Sequence, residues 1–147
     1  MEQLEKFFED LFLKKIPWQL PIKAKEVIVK FAPWAVIIIV VLSLPALLAI
    51  FGLGAFLGGM AGYYGVNLGF KFYLAWIILV IELILMAISI PGLRKKELKG
   101  WRYVYYSALV SVVYGLFSAF NLNGVIWSLF GAALGLYFIF QVKSYYK

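Results

Sequence analysis

The sequence contains no cysteine and no histidine. Without cysteine, the chain has no disulfide, no thiolate nucleophile and no ligand for an iron–sulfur cluster. Without histidine, it also lacks the usual ligands of haem and of nearly all zinc sites. These absences predict that the chain has no catalytic residues, no metal site and no cofactor, and they argue against an enzyme.

Charged residues are scarce as well. They make up 14% of the 147 residues, and hydrophobic residues make up 65%, whereas about 25% and about 45–50% are usual. The excess lies in four long apolar runs, at residues 34–53, 72–90, 103–120 and 125–142. About 20 apolar helical residues cross a hydrocarbon core of about 30 Å. We therefore predict an all-α, polytopic membrane protein. A cytoplasmic amphipathic or interfacial segment (residues 1–32) would precede a four-transmembrane-helix bundle (residues 33–147).

The basic residues are distributed unevenly along the chain. Of the 14 lysines and arginines, all but Lys71 lie before the first run, between the second and third runs, or after the fourth. The positive-inside rule places such residues in the cytoplasm. We therefore predict a multi-pass protein of the cell membrane (plasma or inner) with both termini cytoplasmic. The formal net charge of +7 is then an orientation signal, and no nucleic-acid partner is predicted.

The N-terminal residues form an amphipathic pattern. Apolar side chains recur at helical spacing over residues 4–12, with charged side chains between them. This predicts an amphipathic helix that ends before Pro17. In one interpretation the helix lies on the membrane surface or on the inner end of the bundle. In the other it is a docking or gating element.

A glycine-rich apolar segment, residues 52–65, separates the first and second runs. Gly54, Gly58 and Gly62 repeat every four residues, so one helix face would be bare backbone that permits close helix packing. A single helix through the first run and this segment would be about 48 Å long, more than the hydrocarbon core requires. We therefore predict a separate short outer helix, interfacial or re-entrant. It would be a membrane-hugging connector, a pore loop or a dimer contact.

Glu82 is the only charged residue within the four runs, and it lies near the middle of the second. A carboxyl at a helix centre costs about 2–3 kcal/mol or more in a bilayer. Ser111 and Tyr114 in the third run, and Ser43 in the first, fall at a similar depth. We predict a polar site from these four residues. Glu82 either binds and releases a proton or cation, or is a protonated structural group that donates a hydrogen bond to a neighbour or to its symmetry mate.

The fourth run carries Gly131 and Gly135 on one helix face. Glycine at such spacing lets helices approach closely, so we predict that the third span packs on this face.

Two functions fit these features. The first is a small proton- or cation-linked transporter or channel centred on Glu82. Four spans enclose little polar space, so this function implies a homo-oligomer in the lipid bilayer. The alternative is a non-catalytic membrane scaffold or accessory subunit. It would bind a partner or anionic lipid through its basic cytoplasmic face, with the anionic lipid at Arg94, Lys95, Lys96, Lys99 and Arg102.

Overall fold

The computed structural model describes the backbone of residues 2–63, 70–118 and 122–147. Side-chain surroundings are described for residues 3–45, 47–49, 51–52, 56, 74, 76–116 and 125–147. All regular structure in these ranges is helical, which confirms the all-α prediction. The helices are α1 (Glu2–Glu9), α2 (Ile22–Tyr63), α3 (Phe70–Arg94), α4 (Leu98–Ser118) and α5 (Leu122–Gln141). A π-helical turn, Asp10–Lys15, continues α1, and a 3₁₀ turn, Lys143–Tyr145, follows α5.

Three stretches within the described residues are long and apolar enough to cross a membrane: Ile22–Ala49, Trp76–Arg94 and Val125–Tyr145. They correspond to the first, second and fourth predicted spans. The third predicted span lies in α4, which is less apolar because tyrosines and serines interrupt its aliphatic residues. Length and composition therefore support three of the four predicted spans.

The structure corrects the prediction for the glycine-rich segment. α2 is one helix of 42 residues that continues through this segment to Tyr63, and residues 64–65 lie outside the described residues. The prediction of a separate outer helix is wrong, because helix propagation adds one hydrogen bond per residue and each glycine weakens it by only about 1 kcal/mol. At about 1.5 Å per residue, α2 is about 63 Å long. Gly54, Gly58 and Gly62 lie in it, but their surroundings are outside the described residues.

A tight turn joins α3 and α4. Pro91 lies inside α3, which ends three residues later at Arg94, and Lys96 adopts a left-handed φ of 56° in the turn. A Cβ on Gly92 or Gly100 would collide with the backbone of the other residue. These two glycines therefore bring α3 and α4 into close contact at the turn, and the two helices pack together more extensively than any other pair.

The best-buried core lies near the end of the bundle that carries residues 2–21, 95–97 and 142–147, called the basic end below. Trp101, Tyr105 and Phe140 are almost fully buried there. Trp101 donates its indole N–H to the carbonyl of Ile139 at 2.8 Å. Backbone hydrogen bonds join Lys147 to both sides of the α3–α4 turn, at Lys96 and Leu98.

Candidate functional site

Glu82 on α3 contacts Ser111 on α4. The Ser111 hydroxyl donates a hydrogen bond to Oε1 of Glu82 at 2.5 Å, although the two residues are 29 positions apart. The antiparallel packing of α3 on α4 brings them together. Ser89 and Ser107, which are 0% and 1% exposed, make this packing close, because their small side chains donate to carbonyls of their own helices.

The other two predicted site residues do not join this pair. Ser43 donates to the carbonyl of Ile39 on its own helix at 2.7 Å, which is the common alternative for a helical serine. Tyr114 lies one turn from Ser111 and is half-buried. No hydrogen bond connects Tyr114 to Glu82 in the described part of the chain.

A groove of about 420 Å³ adjoins the Glu82–Ser111 pair. Ser111 is part of its wall, and Met86 is the α3 residue that lines it. The other lining residues belong to α4 and α5: Val104, Ser107, Ala108, Val112, Trp127, Ser128, Gly131, Ala132, Gly135 and Ile139. The volume falls in the range of small-molecule sites, about 300–1,000 Å³.

The prediction that the third span packs on Gly131 and Gly135 stays a prediction. Among the described residues, a Cβ at either position would meet no atom within 4 Å, and both glycines line the groove. A close α4–α5 contact lies at Gly115, where a Cβ would collide with the Ser128 side chain.

The basic end contains an ion cluster that the sequence analysis missed. Lys143 Nζ lies 2.9 Å from Oε1 of Glu5 and 2.6 Å from Oε2 of Glu9. Arg102 Nε lies 3.5 Å from Oε2 of Glu5. Glu5 is only 7% exposed. Lys143 also lies 5.3 Å from the centre of the Trp101 ring. The sequence signal was a lysine directly after the last apolar run, with acidic residues spaced by one turn on α1.

The amphipathic N-terminal helix is present, and it lies on the end of the bundle. The rings of Phe8 and Phe12 are 6.2 and 6.0 Å from the ring of Phe140. Part of the apolar face stays open, since Leu4 and Phe7 are 48% and 60% exposed. The helix therefore contacts α5 through Phe8, and it contacts the 3₁₀ turn that follows α5 through Glu5 and Glu9.

The five residues of the predicted anionic-lipid site do not form one group. Arg94, Lys95, Lys96 and Lys99 are exposed around the α3–α4 turn. The guanidinium of Arg94 lies 5.5 Å from the centre of the Trp34 ring. Arg102 instead points to Glu5 in the ion cluster.

No family model, curated protein or solved structure matches this chain. The function has to be inferred from the Glu82–Ser111 pair, the groove and the basic end.

Proposed function

We propose that the chain is a four-span membrane protein that transports protons or monovalent cations, with Glu82 as the ion-binding carboxyl. The observation that carries this proposal is the 2.5 Å contact between Glu82 and Ser111 in the middle of two apolar helices. A carboxyl at such a depth costs about 2.5–3.5 kcal/mol, and residues of this kind usually mark ion pathways or proton relays.

The arrangement of α4 supports the fourth span. α4 packs between α3 and α5, and its Tyr105 and Ser107 are each only 1% exposed. Lys147 N donates to the carbonyl of Lys96 at 3.0 Å, and Leu98 N donates to the carbonyl of Lys147 at 2.8 Å. The α4–α5 pair therefore leaves the basic end and returns to it, which requires an even number of crossings between those points.

The groove supports a pathway beside the carboxyl. Ser111 contacts Glu82 and also lines the groove, so its hydroxyl can relay a proton between the carboxyl and the groove, or its oxygen can coordinate a cation that moves between them. Gly131 and Gly135 leave the groove open on one side. A second protomer packed against this glycine face would close the pathway, so the transporter is a homo-oligomer in the cell membrane, with the basic end cytoplasmic.

Ion flux into liposomes tests this function. Purified protein is reconstituted, and proton and potassium flux are measured for the wild type, Glu82→Gln and Ser111→Ala. Glu97→Gln is the matched control, since Glu97 is exposed at the α3–α4 turn. We expect Glu82→Gln to abolish flux, Ser111→Ala to reduce it and Glu97→Gln to leave it unchanged. No flux in the wild type would count against transport, and flux that survives Glu82→Gln would remove Glu82 from the pathway.

The scaffold or accessory subunit remains the second proposal, because basic and apolar side chains stay exposed at the basic end. Arg94, Lys95, Lys96 and Lys99 surround the turn, and Leu4 and Phe7 extend the surface. Deletion of α1 is a poor test, since it would uncover the core and the ion cluster. The double variant Leu4→Gln/Phe7→Gln leaves the core and the ion cluster intact. We expect this variant to lose a partner that co-purifies with the wild type. If the wild type co-purifies no partner, this proposal loses its support.

A further inference from the structure

A second cavity, of about 110 Å³, lies near the basic end between α2 and α5. We call it the crevice. Leu93, Trp101 and Val104 form its floor. Its two sides come from α2 and from the C-terminal part of the chain: Ile28, Ala32, Val36, Phe138, Ile139, Val142 and Tyr146. The α2 residues repeat every four positions, so the crevice follows the helix axis for about 12 Å.

The walls of the crevice suit an alkyl chain better than water. Tyr146 and Trp101 carry its only polar side-chain atoms, and the Trp101 N–H already donates to Ile139. A buried water typically makes about three hydrogen bonds, which these walls do not provide. An alkyl chain needs none, and its burial against aliphatic and aromatic side chains is favourable.

Two polar residues lie toward the basic end: Tyr146, which lines the crevice, and Lys25, which precedes Ile28 by one turn of α2. Tyr146 is 5% exposed, and its buried hydroxyl has no hydrogen-bond partner among the residues that the structure describes. An unpaired buried hydroxyl of this kind costs about 1–3 kcal/mol. Lys25 lies on the same face of α2 as Ile28 and Ala32, one turn nearer the basic end. Its ammonium donates to Oε1 of Gln19 at 3.5 Å.

We propose that the crevice binds one acyl chain of an anionic phospholipid, with the lipid phosphate accepting hydrogen bonds from Lys25 and Tyr146. Charge complementarity selects the headgroup, because Lys25 supplies a cation and Tyr146 supplies a second donor. Burial raises the pKa of Tyr146 to about 12, so the phenol stays a neutral donor at physiological pH. The proposal rests on the membrane location proposed above, but not on transport.

This site differs from the exposed basic turn. Arg94 reaches the Trp34 ring, and Trp34 lies about 200° around α2 from both Ala32 and Val36. A lipid in the crevice would therefore contact the opposite side of α2 from Arg94.

Native mass spectrometry of the full-length protein in detergent tests the headgroup contact. Phosphatidylglycerol and phosphatidylcholine of matched chain length are titrated separately, and the bound lipid is counted. We expect the wild type to prefer phosphatidylglycerol. Lys25→Gln should weaken the binding of phosphatidylglycerol about tenfold, because it removes one charge-assisted hydrogen bond. Lys23→Gln is the matched control, because Lys23 is exposed on the opposite face of α2. Equal binding of the two lipids, or equal loss in both variants, would overturn the proposal.

A second pair of variants tests the acyl-chain position. Ala32→Phe fills the crevice and should abolish phosphatidylglycerol binding, whereas Ala87→Phe, on an exposed face of α3, should not. Melting temperatures of both variants show whether either one is misfolded. If Ala32→Phe is misfolded, Tyr146→Phe replaces it, because this change removes only one oxygen atom, and we expect a smaller loss of phosphatidylglycerol binding. Full binding by both Ala32→Phe and Tyr146→Phe would overturn the proposal. Proton flux measured with the same variants tests transport independently of lipid binding, because Glu82 does not line the crevice.

Discussion

Lys143 is one of the residues that join the N-terminal helix to the rest of the protein. Its ammonium contacts two carboxylates of α1 and lies near two aromatic rings, Trp101 and Phe140. The side chain is only 17% exposed, so these ion pairs are screened less than surface pairs. Removing one partner of a largely buried pair leaves the other charge without compensation, and this cost exceeds the net stabilisation of the pair.

Replacement of Lys143 by Gln is therefore expected to lower the free energy of unfolding by about 1–3 kcal/mol. Glu5 would stay buried with only Arg102 near it, at 3.5 Å. The measurement is unfolding in detergent, followed by circular dichroism. Lys147→Gln is the control, because the Lys147 side chain is exposed. Equal stability of the two variants would show that the cluster contributes nothing to the docking of α1.

At the residue scale, the sequence reveals Glu82 but not Lys143. Glu82 interrupts an apolar run, and its cost in a bilayer marks it without reference to any other residue. Lys143 gains its importance from Glu9, 134 positions away, and periodicity carries no information about which distant charges meet. Ser111 was among three residues at a suitable depth, and only helix packing distinguishes it from Tyr114 and Ser43.

At the element scale, the α3–α4 turn controls the register of the candidate site. Gly92 and Gly100 let the two backbones touch, and Glu82 and Ser111 lie along the same pair of helices. A larger side chain at Gly92 or Gly100 would push α3 and α4 apart at the turn.

Gly100→Ala is expected to destabilise the protein by about 1–3 kcal/mol, as overpacking usually does, because its Cβ would collide with the backbone of Gly92 and Leu93. Gly52→Ala is the matched control. A Cβ there would meet nothing within 4 Å, so alanine should stabilise α2 by about 1 kcal/mol or less. Thermal unfolding of both variants checks the prediction, and a Gly100→Ala protein as stable as wild type would contradict it.

Element types were predictable from the sequence, but element ends were less so. Apolar runs identified the cores of α2, α3 and α5 because their length and composition are unusual. The continuous α2 was not predicted. Bilayer thickness sets how many apolar residues are needed to cross the membrane, but it does not set where a helix ends. The space beside Gly131 and Gly135 was not predicted either, because glycine spacing on one helix does not show which of its glycines the neighbouring helix contacts.

At the scale of the whole molecule, the proposed ion site and the proposed lipid site lie at different levels of one bundle. Glu82 and Ser111 lie midway along α3 and α4, whereas the crevice adjoins the basic end. The ion cluster and the stacked rings of Phe8, Phe12 and Phe140 close that same end. A bundle fixed at one end and open along the glycine face of α5 suits a path that continues between protomers.

The number of crossings is tested by cysteine labelling, because the chain has no cysteine of its own. Single substitutions Lys71→Cys, Lys96→Cys and Lys147→Cys are reacted with a membrane-impermeant maleimide, first in intact cells and then after permeabilisation. We expect only Lys71→Cys to react in intact cells, because Lys96 and Lys147 share the basic end and the positive-inside rule places it in the cytoplasm. Opposite labelling of Lys96→Cys and Lys147→Cys would mean an odd number of crossings between them, so that α4 or α5 does not span. Labelling of both from outside, with Lys71→Cys protected, would keep an even number of crossings between Lys96 and Lys147 and reverse the orientation.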